Sequence, residues 1–255
     1  MLLAIDIGNT NVTVGLFRDE ELCATWRIAT GIDRMADEYA VILLSLLRQH
    51  GLDAPDVTKV SMCSVVPPLT ATFEELCQRY FNVAALVVRP GVKTGVRIHM
   101  DNPAEVGADR IVDAAAAHHL YGGPVIIVDL GTGTTFDTIS KEGEYLGGAI
   151  APGIRMAAEA LYTHTAMLPR VELTRPQRAI GTNTITAIQS GLVFGYVGLI
   201  EGLIARIQKE LTEKAKVVAT GGYATLIAKE TPVIDVVNPD LTLVGLRLIY
   251  MMNRT

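Results

Sequence analysis

Two segments of the sequence place an aspartate and a glycine at the end of a short apolar run. The first segment covers residues 2–11 and contains Asp6, and the second covers residues 125–134 and contains Asp129. A small turn rich in Asn, Thr and Gly follows each run, and backbone N–H groups in such a turn can approach an oxyanion closely. A carboxylate beside phosphate oxygens suits Mg²⁺, which binds one or two carboxylates together with phosphate and water. The pattern therefore predicts two phosphate-handling loops, one in each half of the chain.

A single Asp-x-Gly is weak evidence, because Asp and Gly are common in any turn after a strand. Two copies at matching positions, each followed by a β-prone stretch (residues 12–17 and 135–140), favour a duplicated unit in which each turn closes a β-hairpin. The chain has neither the Gly-x-x-x-x-Gly-Lys-Ser/Thr pattern of a Walker loop nor a Gly-x-Gly-x-x-Gly that opens a helix.

The amino-acid composition excludes several classes of protein. The 255 residues are 49% hydrophobic and carry a net charge of −5, so the chain can bury a large core and lacks the basic excess of a nucleic-acid-binding surface. Cys23, Cys63 and Cys77 have no Cys-x-x-Cys spacing, which favours free thiols in a reducing compartment. We see no secretory signal, and the most apolar later stretch, residues 191–205, is short for a membrane span and contains Glu201. We therefore expect a cytoplasmic protein that binds neither membrane nor nucleic acid.

Strand and helix patterns alternate along the chain, as in an α/β protein. Besides the two hairpins, we predict strands over residues 58–66, 84–88, 216–220 and 233–237, and helices over residues 37–50, 70–81, 105–121 and 183–211, after Gly153 and at the C-terminus. The Gly122-Gly123-Pro124 segment breaks a helix before the second hairpin begins, so we predict domains of residues 1–120 and 121–255.

Four glycines lie at helical spacing in the predicted helix over residues 183–211. They are Gly191, Gly195, Gly198 and Gly202, and the spacing puts them on one helix face. Each costs about 1 kcal/mol of helix stability relative to Ala, so we expect something to pack very close to this face. The partner is either another helix of the same chain or a second subunit.

The duplicated hairpins, with a Gly221-Gly222 turn after a late strand where an adenosine would fit, resemble the superfamily of actin, sugar kinases and heat-shock chaperones. The resemblance implies an α/β fold of duplicated ribonuclease H-like domains, each a mixed β-sheet flanked by helices. Within that superfamily the sequence resembles the bacterial type III pantothenate kinases. The matching segments follow the family order over nearly the whole chain and are residues 6–10, 102–110, 129–137, 147–153 and 181–184.

This resemblance implies a role for each matched position. ATP contacts are implied for the loop of residues 6–13, through Asp6, Gly8, Asn9, Thr10, Asn11, Val12 and Thr13, and for Thr132. Pantothenate contacts are implied for Gly107, Ala108, Asp109, Arg110 and Thr184. Asp109 is the implied general base and Asp129 the implied ligand of K⁺ or NH₄⁺; Mg²⁺ is expected with ATP, and a homodimer is implied.

Three points stay open in the sequence. Asp109 and Arg110 alternatively form a solvated pair in the first turn of a helix, where carboxylates are favoured anyway, and Arg110 alternatively binds the carboxylate of the substrate. The family usually has Tyr where Met100 stands, and Phe and Ala where the second loop has Leu130 and Gly133. Asp137 is equally consistent with a cation or water ligand and with a turn carboxylate.

The sequence thus predicts an ATP-dependent kinase that phosphorylates the primary hydroxyl of pantothenate, with Asp109 accepting the proton of that hydroxyl. One alternative is a regulatory relative that binds ligand without turnover. Another is a kinase of the same superfamily that acts on a sugar or another small hydroxylated acceptor, and a filament-forming protein is the least favoured.

Overall fold

The computed structural model describes residues 1–254. The described chain forms two compact units. The first comprises Met1–Val96, Asn102–Ala116 and the chain from Thr242 onward; the second comprises Arg97–Asp101 and Ala117–Leu241. The C-terminal helix thus groups with the first unit. The division into domains of residues 1–120 and 121–255 stays a prediction, because a domain is also defined by its ability to fold alone.

The first unit contains a five-stranded mixed sheet. Its strands are β1 (Leu2–Ile7), β2 (Asn11–Arg18), β3 (Glu21–Ala29), β4 (Lys59–Ser64) and β5 (Leu86–Val87), in the order β3-β2-β1-β4-β5. Strands β1 and β2 form the predicted antiparallel hairpin, and β4 runs parallel to β1 on its other side.

The second unit repeats this arrangement. Its strands are β6 (Arg97–Ile98), β7 (Val125–Leu130), β8 (Gly133–Ile139), β9 (Glu144–Pro152), β10 (Lys216–Thr220) and β11 (Val236–Val237). The sheet order is β11-β10-β7-β8-β9-β6, so β9-β8-β7-β10-β11 reproduces the order and the strand directions of the first sheet. The predicted duplicated α/β fold with two mixed sheets is therefore confirmed, and β6 is an addition at one edge.

Seven α-helices lie among the described residues: α1 (Ala36–Gln49), α2 (Pro67–Leu76), α3 (Ala108–Tyr121), α4 (Ile154–Thr163), α5 (Thr184–Glu210), α6 (Ala224–Ala228) and α7 (Leu241–Asn253). The prediction for α2 was wrong at its start, because Pro67 and Pro68 begin the helix and do not merely end a strand. Proline suits the first helical turn, where its missing N–H has no partner to lose. Helix α6 and strand β6 were not predicted, since elements of five and two residues carry too little periodicity.

Both faces of the first sheet are covered. One face packs against α1 and α2 through residues such as Leu43 and Phe73, and the other packs against α3 and α7 through residues such as Val112 and Leu246. A strand buried on both faces is apolar throughout, which explains why β1 has buried residues at every position except Asp6. The one carboxylate in this strand therefore lies at its C-terminal end, beside the turn.

Helix α5 is the core helix of the second unit. Its Leu192, Val193, Tyr196 and Ile200 side chains lie in the core beneath the second sheet. The helix has 27 residues and is long and apolar enough to cross a membrane by length and composition, although a buried core helix meets the same criterion. The predicted apolar stretch is thus the middle of a longer helix.

The glycine face of α5, formed by Gly191, Gly195, Gly198 and Gly202, points away from that core. Apart from the adjoining residues and the backbone of α5 itself, no atom of the described residues lies within 4 Å of the position that a Cβ would take at Gly191, Gly195 or Gly198. Within residues 1–254 no helix packs against these three positions. The predicted close packing of another helix of the same chain against these three glycines is therefore not found among the described residues.

Candidate active site

Asp6 ends the apolar part of β1 and lies between two strands. It pairs in register with Thr13 of β2 and with Cys63 of β4. The Cys63 thiol donates a hydrogen bond to Asp6 Oδ1 at an Sγ–Oδ1 distance of 3.5 Å. Burial, followed by the nearby Asp109 carboxylate, raises the pKa of Asp6 to about 7, and the Cys63 hydrogen bond opposes this rise. Asp6 is therefore a carboxylate whose negative charge lacks full compensation.

The loop after Asp6 is an exposed turn held at its base. The Gly8 N–H donates to the Asn11 carbonyl at 3.0 Å, and Thr30 donates its hydroxyl to the Gly8 carbonyl at 2.7 Å and its N–H to the Thr10 carbonyl at 3.0 Å. Asn9, Thr10 and Asn11 are exposed. The Val12 side chain is fully buried in the core, so Val12 offers only its backbone to a ligand.

Asp109 lies in the first turn of α3, in the same unit as Asp6. Its Oδ1 accepts a hydrogen bond from the Arg110 N–H at 2.8 Å. A Cβ at Gly107 would lie 2.5 Å from this Oδ1, so glycine is required for Asp109 to take this position. Asp109 and Arg110 are both half-buried, and Asp109 acts electrostatically on Asp6. This burial argues against the alternative in which Asp109 and Arg110 form a solvated surface pair.

Sequence reasoning missed Asp113, which lies one turn after Asp109 on α3 and is 4% exposed. Burial, and then the charges of Asp6, Asp109 and Asp113, raise the pKa of the Cys63 thiol well above its usual value. Three carboxylates thus lie close enough to the Cys63 thiol to act on it electrostatically. The i, i+4 spacing of Asp109 and Asp113 was the available signal, because it puts both side chains on one helix face.

The second hairpin reproduces the geometry of the first. Asp129 of β7 pairs in register with Thr135 of β8 and with Thr220 of β10. Asp129 therefore occupies the place of Asp6, Thr135 that of Thr13, and Thr220 that of Cys63. The environment of Asp129 is richer in oxygen, because a hydroxyl replaces the thiol.

Two glycines leave space beside the Asp129 carboxylate. A Cβ at Gly221 would lie 2.4 Å from Asp129 Oδ1, and one at Gly131 would lie 3.3 Å from Asp129 Oδ2. Among residues 1–254 no cluster of three or more His, Cys, Asp or Glu side chains is arranged to hold a metal ion. A cation here would thus take one carboxylate together with hydroxyl, backbone, water or phosphate oxygens, a set that suits a hard cation.

The turn between β7 and β8 is fixed by the glycine-rich segment of residues 147–153. A Cβ at Gly153 would lie 2.1 Å from the Thr132 carbonyl oxygen, and one at Gly148 would lie 1.5 Å from the Phe136 carbonyl oxygen. Strand β9 and the start of α4 therefore approach β8 and its turn more closely than any side chain permits. Thr132 itself is exposed at the tip of the turn.

Thr184 is the first residue of α5. Asn183 caps this helix, since its Oδ1 accepts a hydrogen bond from the Thr186 N–H at 2.9 Å. A recess of about 690 Å³ lies here, with Thr182, Asn183 and Thr184 on its polar side and Leu161 and Leu168 on its apolar side. The predicted site residues thus form a group around Asp6 and Asp109 in the first unit, and a group around Asp129 and Thr132 and a recess at Thr184 in the second.

We expect Gly221→Ala to destabilise the second unit and to weaken ligand binding at Asp129. Gly221 has φ +89, and its added Cβ would lie 2.6 Å from the Leu130 carbonyl carbon, which is backbone and cannot move aside. The strain is on the order of 1–3 kcal/mol, which thermal unfolding would detect as a lower Tm. Gly222→Ala is the matched control, because nothing lies within 4 Å of its Cβ position. Equal Tm values for the two variants would contradict this account of Gly221.

Comparison with known proteins identifies what the chain is similar to. The type III pantothenate kinase family model matches residues 2–206. The type III pantothenate kinase of Dehalococcoides mccartyi strain CBDB1 is 58% identical over 99% of this chain and 96% of its own length. That of Moorella thermoacetica strain ATCC 39073 is 53% identical over 99% of this chain and 100% of its own length. Among solved structures, the inorganic polyphosphate/ATP-glucomannokinase of Arthrobacter sp. strain KM has a TM-score of 0.52 at 13% identity, with 99% of both chains covered, which shows the shared sugar-kinase fold.

Proposed function

The chain belongs to the type III pantothenate kinase family, and we propose that Asp109 is the general base of its reaction. As a member of this family it transfers a phosphoryl group from ATP to pantothenate, giving 4′-phosphopantothenate for coenzyme A biosynthesis. One observation carries the role of Asp109: it lies half-buried beside Asp6, in the same unit as the first phosphate-handling loop. A base in a kinase has to stand close to the transferred phosphoryl group.

The proposed ATP contacts are the loop of residues 6–13 and Thr132. Backbone N–H groups from Gly8 to Thr13 would hold phosphate oxygens, and the Gly221-Gly222 turn would lie beside the adenosine. Asp6 would hold Mg²⁺ directly or through water, and its raised pKa fits a position that gains from a nearby positive charge. When bound, Mg²⁺ neutralises the charge that develops on the phosphates.

The proposed acceptor contacts are Gly107, Ala108, Asp109, Arg110 and Thr184. The primary hydroxyl of pantothenate would lose its proton to an Asp109 oxygen while its oxygen bonds to the γ-phosphorus. The bond from that phosphorus to the β–γ bridging oxygen breaks, and ADP leaves. Arg110 carries a planar guanidinium beside this position, which suits the substrate carboxylate.

Asp129 is the proposed ligand of a monovalent cation, K⁺ or NH₄⁺. The glycines at 131 and 221 keep its carboxylate accessible, and its cross-strand neighbours Thr135 and Thr220 carry hydroxyl oxygens. When bound, such a cation offsets negative charge near the transferred phosphoryl group.

The experiment for this function measures 4′-phosphopantothenate by mass spectrometry after incubation with ATP, Mg²⁺ and K⁺. A panel of sugars and hydroxy acids replaces pantothenate in parallel reactions. We expect product from pantothenate alone. ATP binding without product from any acceptor would favour the regulatory relative, and product from another acceptor would move the assignment to that substrate.

We propose that the chain forms a homodimer through the glycine face of α5. Gly195 lies at the centre of this face, with open space at its Cβ position. We expect sedimentation velocity to show a dimer for the native protein and a monomer for Gly195→Glu, because a buried carboxylate without a partner costs several kcal/mol. Lys214→Glu, an equally drastic charge change at an exposed position after the helix, is the control and should stay dimeric. A dimeric Gly195→Glu would place the interface elsewhere.

A further inference from the structure

Asp137 is a buried carboxylate in the middle of β8, with 1% of its surface exposed. The alternative of a turn carboxylate is therefore wrong. Thr135 donates its hydroxyl proton to Asp137 Oδ2 at 3.0 Å, and Tyr145 of β9 donates its hydroxyl to Asp137 Oδ1 at 2.5 Å. Asp137 thus joins two hydroxyl groups on neighbouring strands.

The hydrogen bond to Asp137 determines which chemistry Thr135 offers to its other neighbours. A hydroxyl has one proton and two acceptor lone pairs, and the proton of Thr135 points to Asp137. Thr135 therefore presents oxygen lone pairs to anything else that contacts it. Thr135 also stands directly opposite Asp129 in the β7–β8 pair, so both side chains lie on one face of the sheet with Cβ atoms about 4.5–5.5 Å apart.

We propose that Thr135 is a second oxygen ligand of the monovalent cation at Asp129, and that Asp137, held by Tyr145, is the residue that positions it. The inference rests on the proposed cation role of Asp129 and extends it to Thr135, Asp137 and Tyr145, for which the family resemblance implies no role. A hydroxyl whose proton is held by a carboxylate is a better ligand than one that rotates, because its lone pairs are already directed to the site.

The first hairpin supplies an internal comparison. Asp6 also stands opposite a threonine, Thr13, but the residue two positions later is Gly15, where the second hairpin has Asp137. The first hairpin thus folds in the same register without a carboxylate at the position of Asp137. Burial of a carboxylate is costly unless it is hydrogen-bonded, so folding of the hairpin does not by itself require Asp137. The difference between the two hairpins instead favours a role for Asp137 that is specific to the second hairpin.

The residues that pair with the two aspartates on the parallel neighbouring strands, β4 and β10, also differ. Asp6 has the thiol of Cys63 beside it, whereas Asp129 has the hydroxyl of Thr220 in the equivalent position. Hard cations prefer oxygen, and thiols favour softer metals. Of the two hairpins, the one in the second unit is therefore the better site for K⁺.

Three substitutions test the proposal. Thr135→Val removes the hydroxyl at nearly constant volume, and Thr135→Ser retains it. Thr134→Val is the matched control, because Thr134 is adjacent, fully buried, and its hydroxyl makes no hydrogen bond to any described residue. Thermal unfolding of each protein is followed as KCl replaces NaCl at constant total salt. We expect the K⁺ concentration for half-maximal stabilisation to rise about tenfold in Thr135→Val, and to stay near native in the other two.

Asp137→Asn tests the positioning role, since an amide has a single acceptor oxygen and an NH2 group, and cannot accept from Thr135 and Tyr145 at two separate oxygens as the carboxylate does. We expect the K⁺ concentration for half-maximal stabilisation of Asp137→Asn to rise by a smaller factor than that of Thr135→Val. Its kcat at saturating K⁺ should stay close to native. A structural defect would instead lower kcat at every K⁺ concentration. A kcat deficit independent of K⁺ would overturn the positioning role.

The outcomes separate this proposal from the functions it rests on. If Asp129→Asn abolishes the K⁺-specific stabilisation and Thr135→Val leaves it unchanged, Thr135 is not a ligand and the site at Asp129 stands. If the native protein shows no K⁺-specific stabilisation, the cation site and the role of Thr135 both fail. Formation of 4′-phosphopantothenate in that case would leave the kinase function in place.

Discussion

Replacing Asp109 by Asn is expected to lower kcat for 4′-phosphopantothenate formation by about 10²- to 10⁴-fold, the range for loss of a positioned general base. An amide of the same shape cannot take the proton of the attacking hydroxyl. Asp109 is half-buried and its Oδ1 accepts the Arg110 N–H, a bond that the Asn carbonyl can also accept. We therefore expect the affinity for ATP to change little and Tm not to fall, because the variant also removes the negative charge that acts on Asp6.

The measurement is the rate of a single turnover with enzyme in excess over ATP, which separates chemistry from product release. Asp33→Asn is the matched control, because it makes the same chemical change at an exposed position in the first unit. An Asp109→Asn protein that binds ATP and turns over within about tenfold of the native rate would remove Asp109 from the role of base.

Replacing Asp6 by Asn is expected to affect activity and stability in opposite directions. Activity should fall by about 10²-fold, the effect of losing one electrostatic contact to the transferred phosphates. The metal-free protein should gain stability at neutral pH, because Asn removes a negative charge that burial and Asp109 both disfavour. A functional site that is less stable than its neutral variant is a common consequence of selection for activity.

The pKa of Asp6 determines how the stability difference between Asp6→Asn and the native protein changes with pH. The pKa of Asp6 is about 7 in the folded protein against an ordinary value of 3.8. Between these two values the folded state holds a proton that the unfolded state has lost, so the contribution of Asp6 to stability falls as pH rises. The advantage of Asp6→Asn over the native protein should therefore be small below about pH 4 and grow up to about pH 7. Its final size is on the order of 2 kcal/mol, reduced from the full shift because the side chain is partly exposed.

Urea unfolding with EDTA present, repeated from pH 4 to pH 8, measures this difference directly. Asp33→Asn again serves as the control and should follow the native curve. A constant gap between the Asp6→Asn and native proteins over this range would show that the pKa of Asp6 is not raised by folding.

Local patterns in the sequence were enough to predict most elements and both hairpins. Strand β1 is apolar because both faces of its sheet are covered. The apolar run and the Asp-x-Gly that ends it can be recognised in the sequence alone. Its recurrence at β7 predicted the duplication, which the matching strand orders of the two sheets confirm. Strand β10 was predicted at its observed bounds, because Lys216–Thr220 is followed by two glycines that end it.

The chemistry around each aspartate depended on contacts that are distant in the sequence. Cys63 donates to Asp6 only because β4 pairs in parallel with β1 in one register, and a shift of one residue would have turned the thiol to the other face. Asp113 had a helical spacing from Asp109 but no sequence signal for its burial under the first sheet. Helix α2 begins at Pro67, three residues before its predicted start, because Pro67 and Pro68 occupy the first helical turn.

The sequence by itself therefore determined the two Asp-x-Gly hairpins, the alternating α/β order and the family resemblance, because these depend on residues that are neighbours in the chain. The tertiary structure alone decided that Asp6 has a raised pKa, that Gly221 leaves room for Asp129, and that Asp137 is buried between Thr135 and Tyr145. Desolvation, close backbone approach and cross-strand hydrogen bonding arise only when distant segments pack together. For this reason, the specialisation of the second hairpin could not be derived from its motif.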